Sequence, residues 1–185
     1  TLGGNVAHAL PAADGTIALL ALDAWAEVAG IHNLTAILGS GDSARQHSFN
    51  RLVPLKDLFL GPGKSSLKHG EELIVGFHLS LSKPHQASCF RRIMRPQGVA
   101  LPILNCAVWL DREEDIAKGI RIAVGPGGGT PFNAESFEYA TEALLAQAQF
   151  RTSARRAGAD YRQHLVVTLF RDTFKSAWER AVPAG

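Results

Sequence analysis

Two stretches of this chain carry readable hydrophobic periods. From residue 73 to 81 apolar side chains fall at every second position, Leu73, Val75, Phe77, Leu79 and Leu81, with more polar neighbours between them. A period of two predicts a half-buried strand. From 161 to 180 the spacing changes to three and four, through Tyr161, Leu165, Leu169, Phe170, Phe174, Ala177 and Trp178. That stripe predicts an amphipathic helix packed on a sheet. Residues 88–94, 103–110 and 119–125 read as three strands, with a charged turn from Asp111 to Asp115. Short connections favour one antiparallel sheet. Residues 134–149 are rich in Ala, Glu, Leu and Gln and predict a helix, which joins the last helix over one sheet face.

The N-terminal half is less regular. It reads as a helix over 11–22 and strands over 25–28, 33–38 and 47–53, with turn chemistry at Ser40-Gly41-Asp42. A brief helical turn follows over 55–59, then a Gly/Pro/Ser loop over 60–66. Ser82-Lys83-Pro84-His85 is the expected boundary, dividing the chain into domains 1–81 and 82–185. The fold class is α+β.

Composition narrows the function. The chain is 46% hydrophobic and 19% charged, which is globular, and its net charge of +2 is too small for a nucleic-acid or anionic-membrane surface. The best apolar run, 17–29, is interrupted by Asp23 and Glu27 and predicts no membrane span. Cys89 and Cys106 lie in apolar, strand-like surroundings and read as buried free thiols of a reducing cytoplasm. Two cysteines cannot hold an iron–sulfur cluster, which needs about four. None of the seven histidines has metal-ligand spacing, and no Gly-x-Ser-x-Gly elbow is present. Gly125 to Gly129 lacks a phosphate-loop pattern and reads as a flexible connection.

The chemistry concentrates in Thr1-Leu2-Gly3-Gly4-Asn5-Val6-Ala7-His8-Ala9-Leu10-Pro11-Ala12-Ala13-Asp14. Two adjacent glycines let backbone approach a ligand closely. Asn5 tolerates the left-handed region, and Pro11 suits the first turn of a helix. Asp14 then falls in that turn, where a carboxylate complements the dipole or accepts from hydroxyls. Read from the residues, this is either a ligand-cradling loop running into a helix or a tight turn with a helix cap.

The same stretch resembles the TxGGN…SPxxD segment of the FAD-binding medium subunit of molybdenum hydroxylases, the group of xanthine dehydrogenase and aerobic carbon monoxide dehydrogenase. The resemblance continues through Val53-Pro54-Leu55-Lys56-Asp57-Leu58-Phe59-Leu60-Gly61-Pro62-Gly63, Glu71-Glu72-Leu73-Ile74, Ile122-Ala123-Val124-Gly125-Pro126, Thr130-Pro131-Phe132 and Ala159-Asp160-Tyr161-Arg162. It implies a second FAD-binding subdomain followed by a C-terminal domain, with electrons passing from iron–sulfur clusters through FAD to an external acceptor. It also implies partners: an iron–sulfur small subunit, a molybdenum-cofactor large subunit, and an N-terminal FAD subdomain, outside this sequence, that carries the other FAD loop. On the resemblance, Gly3, Gly4 and Asn5 present backbone and amide groups to FAD. Thr1 and His8 add side-chain bonds, Asp14 accepts from ribityl or ribose hydroxyls, Ile74 packs on the isoalloxazine, and Arg91 approaches the flavin from its strand. The alternative is an assembly module that docks to partner subunits and holds no FAD alone.

Overall fold

The computed structural model describes residues 1–30, 51–94, 101–125, 132–134, 137–148, 150 and 157–183. The strand expected over 33–38, the turn at Ser40-Gly41-Asp42 and the glycines after Gly125 lie outside them.

The N-terminal half is built on a three-stranded antiparallel sheet. Strand β1 (Trp25–Gly30) is its centre, flanked by β2 (Arg51–Pro54) and β5 (Glu72–His78). A 3₁₀ turn, Leu55–Leu58, follows β2 as expected. The stretch expected to be a loop over 60–66 instead forms a small hairpin, β3 (Phe59–Gly61) with β4 (Lys64–Ser65). Gly63, at φ 69°, makes the turn between them. Two short helices precede the sheet, α1 (Leu2–Ala7) and α2 (Asp14–Ala21).

The period-two reading of β5 locates the strand but not its buried face. Ile74 is buried, while Leu73 and Val75 are 50% and 44% exposed. Register explains this. Ile74 stands opposite Val28, and Phe77 opposite Ala26, on the inner face. A register shift between Glu27 and Val28 leaves Val75 unpaired and changes the phase within the strand. Leu79 and Leu81 lie beyond its end.

The C-terminal half holds the predicted strands in one antiparallel sheet, β6 (Gln86–Ile93), β7 (Leu104–Glu113) and β8 (Ile116–Gly125), with a short fourth strand, β9 (Phe132–Ala134), on the edge. The strands run into the charged segment 111–115, leaving Glu114 (φ 50°) and Asp115 as the turn. Asp111 still pairs with Gly119, and its carboxylate accepts from Gln86 at 2.8 Å. Helix α3 (Phe137–Gln147) starts later than expected, because Ala134 belongs to β9. Helix α4 (Ala159–Arg180) follows. Both contribute to one core cluster on one face of the sheet, Ala140 and Leu144 from α3 and Val166, Leu169, Phe170 and Ala177 from α4. Both cysteines are buried and free.

The opposite face of this sheet is covered by α2. Ala107 of β7 and Ala123 of β8, paired across the sheet, join Ile17, Leu20 and Ala21 in the N-terminal core cluster. Helix α2 is therefore packed between the two halves.

Candidate functional site

The N-terminal stretch is helical where a loop was expected. Thr1 caps α1, its Oγ1 accepting from the Gly4 N–H at 3.1 Å while its carbonyl accepts from Asn5 N–H at 3.0 Å. Threonine suits this because its side-chain oxygen satisfies a donor that the first turn leaves without a carbonyl. The N–H groups of Leu2 and Gly3 belong to the same first turn, where the helix itself offers no acceptor.

The two glycines do different things. A Cβ on Gly4 would meet only Thr1 Oγ1, at 3.1 Å, so this backbone is open to approach from outside. A Cβ on Gly3 would meet the Ile74 carbonyl oxygen at 3.3 Å, so Gly3 lets α1 lie close on β5. His8, exposed, ends the helix, and Ala9 at φ 51° turns the chain back.

Helix α2 begins at Asp14, not at Pro11. Its N-cap, Ala13, has no side chain to bond the first turn. Asn5 does that work from α1: its Oδ1 accepts from the Gly15 N–H at 3.1 Å. Gly15 permits the approach, since a Cβ there would lie 2.5 Å from Leu2 Cδ1 and 2.9 Å from Asn5 Oδ1.

Asp14 faces the C-terminal sheet. Its Oδ1 accepts from Asn105 Nδ2 at 2.7 Å, and its Oδ2 pairs with the Arg92 guanidinium. Asn105 is fully buried and also reaches the Ala12 carbonyl at 3.3 Å. At the other end of α2, Arg121 donates to the Ala21 carbonyl at 3.1 Å while its guanidinium lies 3.6 Å from the Trp109 ring centroid. A cation at a helix C-terminus complements the dipole. Burial lowers the Arg121 pKa, against the opposing pull of Asp23.

Thr1, Gly3, Gly4, Asn5, His8, Asp14 and Ile74 thus lie on α1, at the start of α2, or directly beneath α1. Ile74 is 7% exposed, packed under Gly3. Arg91 is not brought to them. It pairs with Cys106, on the α4 face of the sheet, and donates to Ser176 of α4 at 2.9 Å. Its neighbour Arg92, paired with Asn105, takes the α2 side. A period of two places consecutive residues on opposite faces, so the basic pair Arg91-Arg92 divides between them.

Asn105, Arg121 and Gly15 were not singled out from the sequence, and Gly125, read there as the start of a flexible connection, is instead the last residue of β8. The available signal was Asn105 itself, an amide inside the apolar strand 103–110, because a buried amide requires partners. Among the described residues no group of three or more His, Cys, Asp or Glu is placed to hold a metal, and no helix is long and apolar enough to cross a membrane.

An α+β chain with this arrangement of sheets is a known architecture. It matches reconstituted CO dehydrogenase from Oligotropha carboxidovorans with a TM-score of 0.78 at 19% identity, covering 98% of this chain and 62% of that one. Residues 88–177 match the CO dehydrogenase flavoprotein C-terminal domain. The chain is 26% identical to the xanthine dehydrogenase FAD-binding subunit of Escherichia coli O157:H7, over 96% of its own length and 60% of the relative's. It is 27% identical to subunit alpha of the 6-hydroxypseudooxynicotine dehydrogenase complex of Paenarthrobacter nicotinovorans, over 99% and 60%. Its residues 88–177 thus match a CO dehydrogenase flavoprotein C-terminal domain, the chain over nearly its whole length is similar to FAD-binding subunits of this kind, and it spans about 60% of the length of the curated relatives it matches.

Proposed function

We propose that the chain forms one side of the FAD site in a flavin subunit of a xanthine dehydrogenase or CO dehydrogenase-like oxidoreductase. In this reading it works with an iron–sulfur subunit and a molybdenum-cofactor subunit and passes electrons to an external acceptor. The observation that carries the reading is the exposed first turn of α1. There the Leu2 and Gly3 N–H groups start a helix, and the Gly4 backbone is open to approach. That geometry fits a phosphate or flavin oxygen, which needs oriented donors and close backbone access. FAD, when bound, supplies the electron storage.

The chain's own residues then have distinct tasks. Thr1 holds the turn in shape through Gly4. The Asn5 amide, with its oxygen engaged by Gly15, keeps its NH₂ group as a donor. His8, exposed at the end of the helix, offers a ring N–H on the same short element. Arg91 remains a proposed contact only for an approach from the α4 side.

A specific observation favours the second reading, a docking module. The outer face of the N-terminal sheet displays Trp25, Leu52 and Leu73, 45%, 51% and 50% exposed, on one side by register. Apolar groups gathered in this way suit a protein contact.

Titrating FAD into the 185-residue chain, followed by flavin absorbance, separates the two. The described residues supply one helical turn of donors, so the flavin reading expects weak binding that Gly4→Val removes. A valine Cβ would crowd Thr1 Oγ1 and close the backbone to the ligand. Binding that Gly4→Val leaves unchanged would count against the α1 site, and no binding at any concentration would favour the docking module.

A further inference from the structure

We propose that Asn105 and Arg92, on the C-terminal sheet, are positioning residues for the α1 turn, acting through Asp14. The functional meaning of this inference rests on the flavin reading of α1, but its structural content does not.

Helix α1 has little to hold it. It is six residues long, and Val6 is its one buried side chain. A single turn and a half is far below the length at which an isolated helix is stable in water. Apolar packing on one valine does not fix the angle at which the turn presents its N–H groups. Polar contacts can, because hydrogen bonds are directional.

Those contacts form a continuous path. Asn105, 0% exposed, grips Asp14 Oδ1 at 2.7 Å, and Arg92 pairs with Asp14 Oδ2. Asp14 is the first residue of α2, so holding its carboxylate fixes the start of that helix. The next residue, Gly15, donates to Asn5 Oδ1 at 3.1 Å, and Asn5 belongs to α1. The sheet thus sets α2, and α2 sets α1. Gly125 of β8 lets this happen at close range: a Cβ there would lie 2.2 Å from the Pro11 carbonyl oxygen and 2.5 Å from Asn105 Oδ1. Asp14, with one contact on each carboxylate oxygen already made within the protein, is the joint of the device.

Amide hydrogen exchange on the cofactor-free 185-residue chain tests this. Asn5 and His8 report α1, since their N–H groups bond Thr1 and Gly4 carbonyls, and Val108 in β7 reports the sheet. Arg92→Met and Asn105→Ala should each speed exchange at Asn5 and His8 by about tenfold while leaving Val108 protected, as local opening requires. Arg92→Lys, which keeps the charge, should restore most of the protection. Unchanged exchange at Asn5 and His8 in both variants would overturn the proposal. So would equal acceleration at Val108, which reports global loosening, or failure of Arg92→Lys to rescue. Adding FAD to the wild-type chain and following the Gly3 and Gly4 amide shifts tests the flavin reading apart. Shifts that stay unmoved while the exchange results hold would remove the flavin and leave the positioning intact.

Discussion

The two faces of the C-terminal sheet are covered by helices in opposite styles. Under α4 the strands present bulk: Leu104, Val108, Leu110, Ile120, Ile122 and Val124, all within 1% of full burial, packed against Val166 and Phe170. An aromatic row extends the contact, with Phe137 stacked on Phe170 at 5.0 Å and Phe174 on Trp178 at 5.9 Å. Under α2 the same strands present Ala107 and Ala123, and the ends of the helix are fastened by Asn105, Arg92 and Arg121.

The difference separates stability from position. Each large side chain buried under α4 contributes about 1.5–3 kcal/mol, and the contact is tolerant of small shifts because apolar burial has no direction. Two alanines contribute far less, but they let α2 approach closely enough for side-chain amide and guanidinium groups to reach its ends. Hydrogen bonds there add about 1 kcal/mol each and impose geometry. The face that carries less energy is the one connected to the candidate site.

The sharpest way to break this division is to damage each face and ask what fails. Phe170→Ala should cost about 4 kcal/mol in urea denaturation, since it empties a fully buried aromatic site. Its effect should be global, raising exchange everywhere. Gly125→Ala should cost about 3 kcal/mol, because its Cβ would sit 2.2 Å from a backbone oxygen that cannot rotate away. Here the loss should come with displacement of α2 and early exchange of α1 amides. If Phe170→Ala selectively loosened α1, or Gly125→Ala left it protected, the two faces would not differ as argued.

This asymmetry explains what could be read in advance. The α4 face is written in hydrophobic period: the stripe from Leu165 to Trp178 and the three strands were legible, because burial follows spacing. The stripe was nevertheless rotated slightly, with Val166 and Thr173 buried and Tyr161 54% exposed. The α2 face has no such signature. Ala107 and Ala123 look like ordinary strand alanines, and nothing along the chain links Asp14 to residues 92 and 105. The same holds for β5, where a local register shift placed Leu73 and Phe77 on opposite faces despite their even spacing. Of the candidate site, the grouping of the residues from Thr1 to Asp14 was legible and its helical form was not, since Thr1 capping Gly4 depends on a turn that the glycines alone do not specify.

Arg121 gives a smaller and more selective test. Arg121→Met keeps much of the packing on Trp109 but removes the charge over the ring and the bond to the Ala21 carbonyl. The expected loss is about 1–2 kcal/mol. It should appear as fraying at residues 19–21 of α2, read by hydrogen exchange, with β6 and β7 unaffected. Loss spread evenly over the sheet would mean that Arg121 belongs to the general core and not to the fastening of α2.

The smallest effect is expected at Cys106, and its size is the point. The thiol lies fully buried on the α4 face, and burial pushes its pKa up to about 12, with a Thr173 hydrogen bond pulling the other way. A thiol raised in this way stays neutral in the folded chain. The unfolded thiol ionises nearer its ordinary value of about 8.5, so the folded state loses its advantage as pH rises through that value toward 12. Below that window stability should be indifferent to this group. The thiolate is the reactive species, so a thiol reagent at pH 8 should label Cys106 only when the chain opens. In a Cys89→Ala variant, which leaves Cys106 as the sole thiol, the labelling rate should match the rate of global unfolding measured in the same buffer. Rapid stoichiometric labelling would show that the α4 face admits water and reagent, and the dry half of the comparison would fail.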